Sequence, residues 1–161
     1  MARLSHVDRR GKARMVDVGG KRPTRREAIA QGSVTMSREA FDLVRANRVA
    51  KGDVLAVAQM AGIQAAKRTW ELIPLCHPLP LDSVDVSLRL DARARRVVIE
   101  ARARTRAATG VEMEALTAVA VAGLAVYDMV KGVDRSAEVG EIRLTRKSGG
   151  KSGLFERPSG R

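Results

Sequence analysis

Apolar and polar residues alternate most regularly over residues 83–90, where Val84, Val86 and Leu88 share one face and polar side chains share the other. This period of two predicts a strand with one buried face. Residues 96–106 repeat the pattern and are predicted to be the partner strand across a turn. The predicted strands cover residues 13–18, 26–36, 83–90, 96–106 and 141–145. Strands that are apolar on one side are typical of an antiparallel sheet.

Two long segments are apolar around most of the helical circumference. Asp53 is a suitable N-cap for the first, residues 54–70, and the second covers residues 110–131. A helix that is apolar on nearly all sides is buried, often in part by another subunit. Ser37 precedes a shorter predicted helix, residues 38–47. A proline-rich loop, PLCHPLP, ends the first long helix.

From residue 26 onward the elements follow the order β-α-β-β-α-β. That order predicts an α+β fold of the ferredoxin-like kind, with an antiparallel sheet and helices on one of its faces. No linker divides the chain, so we expect one domain over residues 1–161. Its ends are expected to be a polar, mobile arm over residues 1–13 and a glycine-rich tail over residues 147–161.

The chain carries 30 lysines and arginines against 18 acidic residues, a net charge of +12. This charge predicts an anionic partner such as nucleic acid, an acidic membrane surface or a phosphorylated small molecule. A single cysteine excludes an intrachain disulfide framework and a Cys-based zinc finger, and two histidines argue against a histidine-rich metal cage. No uncharged apolar stretch is long enough to span a bilayer, and the N-terminus lacks a secretory signal, so a cytoplasmic protein is expected.

The ferredoxin-like order combined with a positive charge is also typical of RNA-binding modules. Those modules stack bases on aromatic side chains of the central strands, and the strands predicted here contain no Phe, Tyr or Trp. A purely structural, oligomerising subunit is a third alternative, because both long helices are so apolar. The tail sequence GKS matches only the end of a phosphate-binding P-loop, since the glycine expected five positions earlier is Thr145.

Ionisable residues on the otherwise apolar second long helix are candidates for catalysis. Asp128 and Lys131 are i,i+3 neighbours that can form an ion pair, and Glu114 lies on the same stripe. Such groups are costly in an apolar helix unless they are paired or functional, and both interpretations are open at this point. Glu112 faces the opposite side, and its spacing from Thr109 favours a T-x-x-E capping box.

Three further positions could contact anions or move protons. Lys51 precedes a helix N-terminus, where a phosphate site and a solvated surface lysine are both open. His77 lies in the proline-stiffened loop and could transfer protons or bond to the backbone. Because it directly follows Cys76 in an extended loop, a Cys–His nucleophilic pair is not expected. The lysines and glycines of the tail could wrap a phosphate, or the tail could be a frayed terminus.

Long segments of the chain match a known family. They are LSHVDRRGKARMVDVGGK (4–21), TRREAIAQGSVTM (24–36), KGDVLAVAQMAGIQAAKRTWELIPLCHPLPL (51–81), TGVEMEALTAVAVAGLAVYDMVKGVD (109–134) and KSGGKSG (147–153). These segments closely resemble the MoaC family, the cyclic pyranopterin monophosphate synthases of molybdenum cofactor biosynthesis. The resemblance covers nearly the whole chain, and one departure is RAA at residues 106–108, where the family commonly has a lysine.

The resemblance implies a ferredoxin-like subunit in a homohexamer, a trimer of dimers with active sites at subunit interfaces. It implies a lyase that converts 3′,8-cyclo-7,8-dihydroguanosine 5′-triphosphate into cyclic pyranopterin monophosphate and pyrophosphate. The partner is then a small nucleotide-derived molecule, and neither nucleic acid nor a membrane is expected. No cofactor is required, a Mg²⁺ ion on the substrate triphosphate is compatible with the reaction, and no dedicated metal-ligand cluster is expected.

The resemblance also implies the site residues. The implied acid/base group is Lys51, Asp128 and Lys131. The implied substrate-binding positions are Lys21, Arg26, Leu75, Cys76, His77, Glu112, Met113, Glu114 and Lys147. Our hypothesis for the chemistry is that Lys51 and Lys131, crowded by other cations, are partly neutral and carry protons, while Asp128 orients Lys131. The arginines and lysines would bind the triphosphate and stabilise the pyrophosphate leaving group.

Overall fold

The structure, a computed structural model, describes residues 11–158. Within that range the chain forms five strands and four helices. They are β1 (Thr24–Thr35), α1 (Arg38–Arg45), α2 (Val54–Lys67), α3 (Thr69–Leu72), β2 (Ser83–Asp91), β3 (Arg96–Ala107), α4 (Glu112–Val130), β4 (Glu138–Ser148) and β5 (Phe155–Glu156). Most of the predicted N-terminal arm, residues 1–10, and the last three residues of the predicted tail lie outside the described residues.

The five strands form one antiparallel sheet in the order β2-β3-β1-β4-β5. Strands β1 and β3 pair over their full length, from Thr24 opposite Ala107 to Thr35 opposite Arg96. The predicted α+β fold is confirmed, and the first four strands with their intervening helices follow the predicted β-α-β-β-α-β order. The one-sided alternation of β2 and β3 therefore did indicate an antiparallel sheet with one covered face.

The core lies between the sheet and helices α2 and α4. Along β3 every second side chain is buried, and these side chains face α4. Small residues allow α2 and α4 to pack closely against each other and against the sheet; those fully or almost fully buried are Ala58, Ala66, Ala115, Ala118 and Ala122. By length and composition α4 could cross a membrane, but ten of its 19 residues are buried in this core. Its apolar character is that of a central helix.

Two predicted elements in the N-terminal half of the chain differ from the observed ones. The predicted strand over residues 13–18 is wrong, because only Ala13 forms a bridge and the rest of the segment is irregular. The predicted helix over residues 54–70 is divided, since α2 ends at Lys67 and the short α3 follows. The Thr69 hydroxyl donates to the carbonyl oxygens of Ala65 and Ala66 at 3.3 and 3.1 Å, so it competes for the acceptors of the last helical turn.

The C-terminal region is more regular than predicted. Strand β4 is eleven residues long, and the expected strand over 141–145 is only its middle. Glu141 adopts a positive φ of 55° at an irregularity in the β1–β4 register, which interrupts the alternation of side chains. The tail then turns back and adds β5 to the sheet, with Phe155 opposite Lys147. Strand β5 was not predicted, and it brings one aromatic residue, Phe155, to the edge of the sheet.

The predicted capping box at the start of α4 is also wrong. The helix begins at Glu112 itself, with Val111 as its N-cap and no side-chain capping hydrogen bond. Thr109 lies before the cap, so Glu112 is in the first turn and its carboxylate is available for another contact. Acidic side chains in the first turn still interact favourably with the helix dipole.

Candidate active site

A cavity of about 450 Å³ opens beside the N-terminal end of α4. Three stretches of chain line it: the irregular segment before β1, the proline-rich loop before β2, and the start of α4. Seven of the predicted substrate-binding residues are in this lining, namely Lys21, Leu75, Cys76, His77, Glu112, Met113 and Glu114. These residues are separated by up to 93 positions in the sequence, from Lys21 to Glu114, so the fold brings them together.

Short-range backbone contacts fix two walls of the cavity. The amide of Lys21 donates to the carbonyl of Val18 at 3.0 Å, which closes a turn before β1. The amide of Cys76 donates to the carbonyl of Ile73 at 3.0 Å, and the prolines stiffen the loop that follows. The Thr105 hydroxyl of β3 donates to the carbonyl of Pro80, which ties the end of this loop to the sheet.

Arg26 and Lys147 lie on neighbouring strands at the rim of the cavity. An Arg26 Nη2 donates to the carbonyl oxygen of Ala108 at 3.2 Å, directly before the cavity wall at Thr109. Lys147 Nζ lies 3.4 Å from Glu112 Oε1, so the carboxylate predicted to cap the helix instead pairs with a strand residue. All nine predicted substrate-binding residues thus lie in the cavity wall or next to it.

The carboxyl of Glu114 is the most deeply buried charge-bearing group of the cavity, with 4% of the residue exposed. Burial, with a smaller contribution from the nearby Glu112, raises its pKa to about 7. The group therefore holds a proton up to near-neutral pH and can donate or accept one there. Burial also raises the pKa of the Cys76 thiol, with a contribution from Glu114, so this thiol is a poor nucleophile at neutral pH.

A second cluster lies at the opposite end of α4 and contains the three predicted acid/base residues. Asp128 Oδ1 lies 2.7 Å from Lys131 Nζ, and Asp128 Oδ2 lies 2.8 Å from Lys51 Nζ. Lys51 Nζ also donates to the carbonyl oxygen of Asp128 at 2.7 Å. One carboxylate therefore bridges two ammonium groups, one from its own helix and one from the segment before α2. All three side chains remain about half exposed.

The bridging carboxylate sets the charges of this cluster. Hydrogen bonds from Lys131 and Lys51 lower the pKa of Asp128 to about 2. In return the hydrogen bond to Asp128 raises the pKa of Lys131. The hypothesis that Lys131 is partly neutral is therefore wrong for the subunit by itself, because the nearest charge is an anion and not another cation.

The two clusters lie far apart within one subunit. Asp128 lies sixteen positions after Glu112 on the helix, which corresponds to about 24 Å along the helix axis. The chain thus assembles a binding cavity at one end of α4 and a lysine–carboxylate cluster at the other end. A single small molecule cannot contact both within one subunit.

Sequence reasoning missed five residues of the cavity wall. They are Val16, Val18, Leu79, Thr109 and Gly110. Two of them, Val16 and Val18, lie in the segment that was predicted to be a strand. The segment is irregular, and an irregular backbone has no periodicity by which the sequence could have indicated it. Among residues 11–158, no three His, Cys, Asp or Glu side chains lie close enough together to hold a metal ion.

Comparison with known proteins identifies the chain's relatives. The sequence pattern that defines the MoaC family matches residues 15–150. The chain belongs to the MoaC family. It is 60% identical over 157 residues to the cyclic pyranopterin monophosphate synthase of Pelotomaculum thermopropionicum, covering 98% of this chain and 92% of that protein. This confirms the predicted family and, with it, the expectation of an enzyme.

Other MoaC relatives agree over the same length. The cyclic pyranopterin monophosphate synthase of Thermomicrobium roseum is 59% identical over 157 residues, covering 98% of this chain and 95% of that protein. The synthase of the same name from Heliobacterium modesticaldum is 58% identical over 154 residues, covering 96% and 97%. Both clusters at the ends of α4 fall within the matched residues of the family pattern.

Proposed function

We propose that this MoaC-family protein is a cyclic pyranopterin monophosphate synthase of molybdenum cofactor biosynthesis. The proposed reaction converts 3′,8-cyclo-7,8-dihydroguanosine 5′-triphosphate into cyclic pyranopterin monophosphate and pyrophosphate. The observation that carries the proposal is the Lys51–Asp128–Lys131 cluster, because ring opening and rearrangement need groups that donate and accept protons. The basic residues around the cavity supply the complementary charge for a triphosphate.

In this proposal the chain's own residues supply the required chemistry, without a resident cofactor. Lys131 is held in its charged form by Asp128 and can donate a proton to a developing anion. Glu114 holds a proton near neutral pH and can exchange it with a substrate bound in the cavity. Lys21, Arg26 and Lys147 would hold phosphate oxygens and stabilise pyrophosphate as it leaves. A Mg²⁺ ion would enter, if at all, with the substrate triphosphate.

The proposal includes an active site shared between subunits. A two-fold axis perpendicular to α4 near its middle exchanges the two ends of the helix, which places the cavity of one copy beside the lysine–carboxylate cluster of its partner. Two-fold dimers are the commonest homo-oligomers. The helical layer exposes apolar side chains that such a contact would cover, with Met60 65% and Leu124 58% exposed. A cytoplasmic hexamer built as a trimer of these dimers is the proposed assembly.

The proposed activity is tested with the purified protein and the cyclised nucleotide triphosphate, with release of pyrophosphate as the readout. Stoichiometric pyrophosphate and pterin product are expected. Absence of pyrophosphate together with tight RNA binding would favour the RNA-binding module instead. Phe155 adds a single aromatic residue to a two-residue edge strand, which does not provide a base-stacking surface.

The shared site is tested by mixing two inactive variants, Lys131→Ala and His77→Ala. Each variant damages a different end of α4, so a mixed dimer contains one intact site and one doubly damaged site. After dissociation and reassembly at equal amounts, activity should recover to about one quarter of wild type, as random pairing predicts. A site formed within one subunit would give no recovery.

A further inference from the structure

The glycine-rich tail forms a defined turn over residues 149–153. Gly149 and Gly150 have φ values of 93° and 73°, in the left-handed region that other residues avoid. The amide of Gly153 donates to the carbonyl of Gly150 at 3.2 Å and closes the turn. The sequence KSGGKSG is therefore required by a specific backbone path, and the proposed chemistry does not by itself account for it.

The turn is anchored on its far side by the sheet. Arg157 donates from its amide to the carbonyl of Thr145 at 2.8 Å and from Nε to the carbonyl of Leu144 at 2.8 Å. Glu156 Oε1 lies 3.2 Å from Arg146 Nε on the neighbouring strand β4. These contacts hold the chain beyond the turn against β4, so the position of the turn itself is fixed.

On its inner side the turn contacts the two cations at the cavity rim. The Ser152 hydroxyl forms a hydrogen bond with Lys147 Nζ. Gly150 lies so close to the Arg26 guanidinium that a Cβ at this position would overlap it. Gly149 is equally close to the carbonyl oxygen of Arg25, so neither glycine could carry a side chain without moving its neighbour.

These contacts restrict the side chain of Lys147, which would otherwise be flexible. A lysine ammonium has three donors on a four-carbon stem and many rotamers. Ser152 contacts the Lys147 ammonium on one side and the Glu112 carboxylate lies 3.4 Å from it on another. These two contacts direct the Lys147 ammonium to the cavity rim. Within residues 11–158 they leave one of its three donors for a phosphate oxygen.

We propose that the 149–153 turn positions the phosphate-binding cations of the site, Ser152 acting on Lys147 and Gly150 on Arg26. Ser152 and Gly150 lie against Lys147 and Arg26 and outside the cavity lining, so both are assigned as positioning residues. The inference deepens the proposed function and rests on it, because it assigns the rim of the cavity to the phosphate end of the substrate.

The test compares Ser152→Ala and Ser152→Thr with Ser87→Ala as a matched control. Ser87 is an exposed serine of β2, outside the cavity lining and the tail turn. Loss of a hydrogen bond to a charged group should raise KM about tenfold in Ser152→Ala. The kcat should stay within about twofold, because the bond acts on substrate binding and not on the chemical step. Ser152→Thr keeps the hydroxyl and should restore KM.

Two outcomes would overturn the inference. In one, Ser152→Ala has the same KM as Ser87→Ala. In the other, kcat and melting temperature fall together in Ser152→Ala and threonine does not restore them, which would indicate a purely structural turn. Gly150→Ala provides a second measurement, since displacement of Arg26 should also raise KM. If this variant folds and its KM is unchanged, the proposed positioning of Arg26 by Gly150 is contradicted.

Calorimetry with inorganic pyrophosphate separates this inference from the proposed function. Wild-type protein that binds pyrophosphate but releases none from the cyclised nucleotide would refute the proposed function alone. In that case a pyrophosphate affinity about tenfold weaker in Ser152→Ala would still support the positioning role. Equal pyrophosphate affinities of wild type and Ser152→Ala would refute it.

Discussion

The two ends of α4 place carboxyl groups of the same helix in opposite environments. At the N-terminal end Glu114 is buried and its pKa is raised to about 7. At the C-terminal end Asp128 is half exposed between two lysines, and its pKa is lowered to about 2. Burial disfavours the charged form of a carboxyl group, whereas neighbouring cations favour it. Their surroundings, and not their residue type, therefore make Glu114 a proton donor and Asp128 a fixed anion.

The difference shows how the chain divides its tasks. The cavity end has enclosure, a backbone-supported wall and a protonated carboxyl group, which suit binding of a ring. The cluster end has charge and exposure, which suit contact with a substrate that another surface holds. The walls of the cavity lie at one end and the lysine–carboxylate cluster at the other, so the separation along α4 is the structural reason to propose a shared site.

The largest expected effect follows removal of a lysine from the cluster end. Lys131→Ala or Lys51→Ala should lower kcat by about 10³-fold, the scale of general acid–base catalysis, with an unchanged melting profile. Steady-state pyrophosphate release measures this. Arg89→Ala is the control, since it removes a cation from an exposed position of β2, opposite Val98 on β3. Normal turnover in either lysine variant would contradict the assigned role.

The cavity end should make stability depend on pH. The Glu114 pKa is about 7 in the folded chain and 4.5 in the unfolded chain, so only the folded carboxyl holds its proton between these values. Stability should therefore fall as pH rises from 4.5 to about 7, by up to about 3 kcal/mol, and then level off. Urea unfolding at fixed protein concentration measures this.

Glu114→Gln removes the titrating group and should remove this pH dependence. Glu39→Gln is the matched control, because Glu39 is an exposed residue in the first turn of α1. A slope that persists unchanged in Glu114→Gln would assign the dependence to another group and refute the contrast between the two ends.

Neutralising the bridging carboxylate should have a smaller effect. Asp128→Asn removes the anion that raises the pKa of Lys131, so that pKa should fall. The alkaline limb of the pH profile of kcat/KM should move to lower pH, and kcat/KM should drop about tenfold through the lost charge-assisted hydrogen bond. Asp42→Asn, at an exposed ion pair with Arg45, should leave both unchanged. An unmoved alkaline limb would show that Lys131 is not the titrating acid.

The smallest expected effect concerns the N-cap of α2, two residues after Lys51. Asp53 accepts a hydrogen bond from the amide of Ala56 at 3.0 Å. Asp53→Ala should cost about 1 kcal/mol of stability in chemical unfolding, and Asp53→Asn should retain most of it. Because Asp128 holds the Lys51 ammonium directly, kcat should change little. A large loss of kcat in both variants would show that the helix start, and not Asp128, positions Lys51.

Much of the sheet could be predicted because one of its faces is covered and the other is not. Apolar and polar residues alternate strictly in β2 and, except at Val98, regularly in β3, and the predicted bounds of both strands differ from the observed ones by one residue. Strand β4 was predicted too short because the irregularity at Glu141 breaks its alternation. Strand β5 has two residues, too few for any periodicity, and its pairing depends on the turn before it.

The site was predictable only where its contacts are local. Asp128 and Lys131 are i,i+3 neighbours, so their ion pair follows from helix geometry. Lys51 joins them across 77 positions of sequence, and only the family resemblance indicated it. The pairing of Glu112 with Lys147 was missed because its T-x-x-E spacing pointed to a local cap. The charge state of Lys131 was wrong because composition gives the number of cations but not the identity of the nearest neighbour.

Helix α4 also limits how the length of this chain can change. Its 19 residues form a rod of about 28 Å that sets both the distance and the relative orientation of its two ends. One inserted residue would rotate Asp128 by about 100° relative to Glu112 and move it about 1.5 Å. Insertions and deletions should therefore be tolerated in the exposed turn over residues 92–95, and not within the helix.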